Sequence, residues 1–145
     1  MDHPRTEPLT PEALIPHRGR MLLVQEIVQL DDDQATVRSV AKEQWPLCTA
    51  GKVNPLILIE LVAQTAGIHN GMKRLKTRGA GGETRGWLVG IKKACFHVAD
   101  IAVGAAVTTT TRTTMVFEGL REITGAATID GHPAADVVLQ VVEVQ

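Results

Sequence analysis

Residues 54–76 read NPLILIELVAQTAGIHNGMKRLK, the one long apolar run in the chain that carries both helical start and stop signals. Asn54 suits an N-cap, Pro55 is preorganised for the first helical position, and Lys73, Arg74 and Lys76 suit the negative end of the helix dipole. At about 1.5 Å per residue the stretch makes a rod of roughly 34 Å. Leu56, Ile57, Leu58, Ile59, Leu61, Val62, Ala63, Ala66 and Ile68 leave it no solvent face. Such a helix is buried all round, with a sheet wrapped about it.

Two polar residues interrupt the rod. Glu60 and Gln64 are spaced i, i+4, and at about 100° per residue Gly67 and Gly71 fall within roughly 20° of Glu60. Carboxylate, amide and two stretches of bare backbone therefore share one stripe, which invites close approach by another backbone or a ligand. A buried Glu needs a partner or a purpose. One reading is structural, a Glu paired to an Arg beside glycines that permit close packing. The other is chemical, a carboxyl placed in a cleft.

A chain of 145 residues with 44% apolar content fits a single domain over residues 1–145. A net charge of −1 gives no electrostatic case for nucleic acid or an anionic membrane. Cys48 and Cys95 are too few for a disulfide framework, and neither CxxC nor HExxH occurs, so no metal and no cofactor is expected. The opening MDHPRTEPLTPEAL lacks the apolar core of a signal peptide. Glu60, Gln64, His69 and Asn70 argue against a membrane span within 54–76. The expectation is a soluble cytoplasmic protein.

Residues 1–14 read as an N-terminal arm followed by a short helix, in which Thr10 caps, Pro11 starts and Pro16 ends the turn. Met21 to Leu30 and Ala35 to Val40 read as two strands joined at Asp31-Asp32-Asp33. Glu43 to Gly51 reads as irregular, and Thr77 to Arg85 as a glycine-rich loop. Four further strands are expected in 86–98, 106–120, 121–130 and 133–144, with turns near Glu118-Gly119 and Asp130-Gly131. The Thr-rich stretch from Thr108 to Thr114 reads as a β-branched strand with a half-exposed face. Six strands around one long helix make an α+β class with an antiparallel sheet.

Three segments together resemble the hotdog-fold 3-hydroxyacyl-acyl carrier protein dehydratases. They are Ile15-Pro16-His17-Arg18 leading into Met21-Leu22-Leu23-Val24; Leu58 to Gly67, with its acid four positions before Gln and seven before Gly; and Val89 to Phe96 with the later Asp100 to Gly104. The resemblance spans about Ile15 to Val144. It implies a six-stranded sheet wrapped around the central helix and a dimer whose sheets pair edge to edge. It also implies tunnels for an acyl-pantetheine thioester on acyl carrier protein or CoA, in fatty-acid or polyketide-type metabolism. The implied substrate-binding positions are Pro55, Leu56, Gln64, Gly67, Gly90 and Ile91. In that family a His upstream of the helix removes the proton next to the thioester carbonyl, and the helix acid of the other subunit protonates the leaving hydroxyl. A carboxyl in an apolar tunnel keeps its proton near neutral pH and is ready for that role. Glu60 matches the acid.

The base position does not match. Where the family carries a Gly-His-Phe-Pro-Gly-like segment, this chain reads Trp45 to Gly51, and no His lies between His17 and Glu60. His69 lies about 180° round the helix from Glu60, His3 is in the arm, His132 is in a turn and His97 is on a strand near one. His17 is the best substitute, its alternative role being to hydrogen-bond the chain entry. Three functions follow: a dehydratase with Glu60 as acid; a thioesterase in which Glu60 activates water or attacks, with helix N-terminal amides around Pro55 and Leu56 holding the oxyanion; and a non-catalytic partner subunit in a dehydratase heterodimer. A homodimer or higher homo-oligomer is the default assembly.

Overall fold

The computed structural model describes residues 9–78 and 85–144. Its elements are a one-turn helix α1 (Pro11–Leu14), strands β1 (Glu26–Leu30), β2 (Gln34–Val40), β3 (Cys48–Thr49) and β4 (Lys52–Val53), the long helix α2 (Ile57–Arg78), and strands β5 (Arg85–Phe96), β6 (Ile101–Ala102), β7 (Ala106–Phe117), β8 (Leu120–Ile129) and β9 (His132–Val144). Six strands form one antiparallel sheet in the order β1-β2-β7-β8-β9-β5. Helix α2 lies across its inner face, as the resemblance implies for a hotdog fold. No helix among the described residues is long and apolar enough to cross a membrane. Residues 1–8, and most of the stretch expected as a glycine-rich loop, lie outside the described residues.

Local chemistry accounts for the element ends. Asn54 Oδ1 accepts the Leu56 amide at 3.0 Å, and the carbonyls of Asn54 and Pro55 accept the amides of Ile57 and Leu58, so a tight turn precedes α2. The helix therefore starts at Ile57 instead of Asn54 and runs two residues beyond Lys76. Asp31 makes the first hairpin: its Oδ1 accepts the amides of Asp33 and Gln34 at 2.8 and 2.9 Å. Those two amides, then the Gln29 side chain, hold the Asp31 carboxyl below its ordinary pKa. Glu118-Gly119 and Asp130-Gly131 both take positive φ, the two-residue turn that matches strand twist.

Two expectations are corrected. Met21 to Val24 is not strand: Gly19–Met21 is a 3-10 turn, and β1 begins only at Glu26. The stretch 43–51 contains order the sequence did not show, since β3 pairs with β4 and β4 with β6 in a small second sheet. The Thr-rich strand alternates more sharply than expected, with Thr109 and Thr111 buried on the helix side.

The core lies between α2 and the large sheet. Leu58, Leu61, Val62 and Ile68 are fully buried against a set that includes Val37, Val107, Val137 and Leu139. Gly125 of β8 permits that approach, because a Cβ there would stand within 3 Å of both Val62 methyls. From Ile57 to Met72 every helical residue is buried or half-buried, in keeping with an all-round apolar rod.

Candidate active site

The polar and glycine stripe on α2 is the track on which the chain's entry segment is laid. Gly71 faces the backbone of Leu14, where a Cβ would meet the carbonyl oxygen at 2.7 Å, and Gly67 faces Ile15. Two residues on, His17 Nε2 lies 3.2 Å from Glu60 Oε1. Gln64 then anchors the returning chain: its Oε1 accepts the Leu23 amide at 3.0 Å, and its Nε2 donates to the Met21 carbonyl at 2.6 Å. The same Nε2 donates to Glu60 Oε1 at 3.1 Å. One fully buried amide therefore fixes both the entry segment and the carboxylate.

Arg18 completes the brace. Its guanidinium donates to the carbonyls of Glu12, Ile15 and His17 at 2.8, 2.8 and 2.7 Å, closing the turn that presents His17. The Pro-His-Arg sequence thus has a local reason, with Pro16 extending the chain, His17 facing α2 and Arg18 binding the backbone that precedes it. His17 Nδ1 is buried and has no partner among the described residues, so the ring's polar contact is with Glu60.

The pair opens on a cleft of about 780 Å³. One wall is the entry segment from Ala13 to His17. A second is the face of α2 carrying Glu60, Ala63, Ala66, Gly67, Asn70, Lys73 and Arg74. The sheet supplies Gly86, Trp87 and Leu88 from β5, Thr111 and Thr113 from β7, Arg121 and Ile123 from β8, and Val141 from β9. Volume and lining suit a small-molecule ligand with an apolar body. The side chains of His17 and Glu60 are 30% and 35% exposed, so both reach the opening.

Charge is unevenly spread around this cleft. Glu60 is its acidic wall residue among those described, whereas Lys73, Arg74 and Arg121 stand at the other end, with Arg121 donating to Asn70 Oδ1 at 3.0 Å. His69 lines the far edge of the same cleft, on the side of α2 away from Glu60. Its Nε2 donates to the Asp31 carbonyl at 2.8 Å, tying α2 to the β1–β2 hairpin. Burial, aided by the Lys73 ammonium, holds the His69 imidazole below its ordinary pKa.

Of the candidate site residues weighed in the sequence, His17, Glu60, Gly67 and His69 line the cleft. Gln64 sits behind Glu60, fully buried and already hydrogen-bonded on both amide atoms. Pro55 and Leu56 lie at the start of α2 outside the cleft wall, and the Leu56 amide is engaged by Asn54. Gly90 and Ile91 lie on β5, an edge of the large sheet, where Trp87, Leu88, Val89 and Ile91 are all about half exposed. His97 pairs with Asp136 at 2.9 Å on the surface and His132 is exposed, while His3 lies outside the described residues. Among the described residues Glu60 meets His17 and Gln64, not an Arg. Sequence reasoning missed Arg18, whose position next to His17 was a usable signal. It also missed Thr111 and Arg121, which are ordinary strand residues until the topology sets them in the cleft wall.

The fold and the family are supported by likeness to known proteins. A chain from the dehydratase heterocomplex ApeI:P of Xenorhabdus doucetiae superposes with a TM-score of 0.85 at 17% identity, over 96% of this chain and 93% of that one. A hypothetical thioesterase from Streptococcus pneumoniae, solved with coenzyme A, gives 0.60 at 12% identity over 82% and 84%. The PaaI protein of the phenylacetic acid degradation operon of E. coli gives 0.62 at 12% over 81% of each chain. Comparison with curated proteins returns no match. The family model for the ApeP dehydratase matches residues 9–145, and with that match spanning nearly the whole sequence the chain belongs to the ApeP-like family of hotdog-fold dehydratases.

Proposed function

We propose that this chain dehydrates 3-hydroxyacyl thioesters carried on an acyl carrier protein or CoA, with His17 as base and Glu60 as acid. The observation that carries the reading is the 3.2 Å approach of His17 Nε2 to Glu60 Oε1 at the mouth of the cleft. In the reaction, the imidazole takes the C2 proton, made acidic by the neighbouring thioester. The C2–H electron pair becomes the C2–C3 double bond. The C3–O pair leaves with the hydroxyl, which takes the proton of Glu60 and departs as water. The imidazolium and carboxylate so formed are reset when a proton passes back from Nε2 to Oε1. Both groups belong to one chain, so the pair does not depend on a histidine from another subunit, and Gln64 holds the carboxylate in place throughout.

A second reading draws on the apolar edge. Strand β5 leaves Trp87, Leu88, Val89 and Ile91 half exposed, and an unpaired apolar edge is ordinarily covered. On this reading the edge pairs with a second hotdog chain, either another copy or a different dehydratase subunit, the Xenorhabdus relative being itself part of a dehydratase heterocomplex. The two readings are compatible, since a paired chain can keep its own cleft.

The test is turnover of a 3-hydroxyacyl-CoA by the purified protein, following enoyl absorbance and free thiol together. Enoyl product without thiol is expected. Thiol release without enoyl product replaces dehydration by thioester hydrolysis, and inertness of the chain alone with activity on adding a second dehydratase subunit makes it a partner.

A further inference from the structure

The cleft extends well past the reacting pair, and its far end is chemically unlike its mouth. Asn70 and Lys73 lie ten and thirteen residues beyond Glu60 on α2, about 15 and 20 Å along the helix axis. There the part-buried Arg121 guanidinium donates to Asn70 Oδ1 at 3.0 Å, which fixes its position, and Lys73 lines the wall beside it. Among the described residues, no carboxylate lines that end. The wall between the two ends is partly polar, since Thr111 also lines the cleft at 1% exposure. Thr113, two residues along the same strand face, continues this polar side toward Arg121.

We propose that the far end of the cleft is an anion subsite, which holds a carboxylate or phosphate oxygen carried about 15–20 Å from the reacting carbons on an extended chain. This deepens the dehydratase reading and rests on it for the identity of the reacting end. Guanidinium and ammonium supply charge-assisted hydrogen bonds to the anion, while Thr113 offers a hydroxyl to polar groups along the chain. Two parts of a thioester substrate could bring that chemistry: a terminal carboxylate on the acyl chain, or the phosphate at the end of the pantetheine arm.

Inert analogues in which an amide replaces the thioester separate binding from turnover. Calorimetric titration compares a methyl-ended with a carboxylate-ended acyl chain of about twelve to sixteen bonds, each on CoA and on phosphate-free pantetheine. The expected result is a preference of about tenfold or more for one anion-bearing member of a pair, collapsing in Arg121→Met and weakening in Lys73→Met. Dependence on the tail carboxylate assigns the subsite to the acyl chain, and dependence on the phosphate assigns it to the pantetheine arm. Equal binding of all four ligands, or a preference unchanged in both folded variants, overturns the subsite. Because the analogues do not react, a preference without any turnover of the parent thioesters refutes the dehydratase reading and leaves the subsite standing. Turnover without a preference does the reverse.

Discussion

Replacing Gly71 by Ala tests whether the entry segment is docked on α2 as described. In an exposed helix interior Ala is favoured over Gly by about 1 kcal/mol. Here the new Cβ would stand 2.7 Å from the Leu14 carbonyl oxygen and 3.3 Å from its Cβ. The obstructing atom is backbone and cannot rotate away, so the segment must retreat by roughly 0.5 Å or more to reach ordinary contact. Overpacking of this kind costs about 1–3 kcal/mol, which leaves a net destabilisation of about 0–2 kcal/mol. Function should suffer more than stability. His17 follows Leu14 by three residues, and if it is the base proposed above, misplacing it by about 1 Å lowers turnover by up to about 10²-fold. Urea unfolding and turnover of a 3-hydroxyacyl thioester, measured on the same preparation, should show near-native stability with much reduced activity. Gly67→Ala meets only the Ile15 methyl at 3.0 Å, a side chain that can adjust, and should be milder on both counts. A Gly71→Ala protein that gains the full ~1 kcal/mol and turns over normally would show that the segment does not lie on this stripe.

Gln64→Leu keeps the volume but strips partners from the buried Leu23 amide and the Met21 carbonyl, so a loss of about 2–4 kcal/mol in urea unfolding is expected, and less than about 1 kcal/mol would refute the anchoring role. His69 has a folded pKa below its ordinary 6.5, so the unfolded chain binds the extra proton first; its contribution is present above about pH 6.5 and is lost as pH falls from there toward the folded pKa. The urea midpoint should therefore drop between about pH 7 and pH 5, and His69→Gln should flatten that dependence; the Asp31 carboxyl, with its lowered pKa, acts only below about pH 4. Sedimentation at micromolar concentration should show a species larger than the monomer, weakened by Ile91→Lys on β5, and a monomeric wild type would argue against pairing through that edge.

The helix, the hairpins and the six-strand count were legible because they rest on local signals, such as the apolar run from Leu56 to Ile68 and the Asp-Gly and Glu-Gly turns. The stripe of Glu60, Gln64, Gly67 and Gly71 was legible as a place of close approach, but not what approaches it. That required the path of residues 14–23, which are held by side-chain-to-backbone bonds from Arg18 and Gln64 that no periodicity encodes. For the same reason Met21 to Val24, apolar and β-branched in part, looked like a strand; Gln64 takes the backbone groups that a ladder would have used. The two-residue strands β3, β4 and β6 were invisible because pairs so short carry no alternation. His17 and Glu60 lie far apart in sequence, and only the docking of the entry segment brings them together.

The most direct measurement is a double-mutant cycle on His17 and Glu60, reading enoyl formation from a 3-hydroxyacyl thioester. Two groups that share one proton-transfer step act as a unit. His17→Ala and Glu60→Gln should each lower the rate by about 10²-fold or more, and the double variant should be little worse than the weaker single one. Near-normal enoyl formation by His17→Ala, or losses that multiply in the double variant, would contradict a His17–Glu60 dyad.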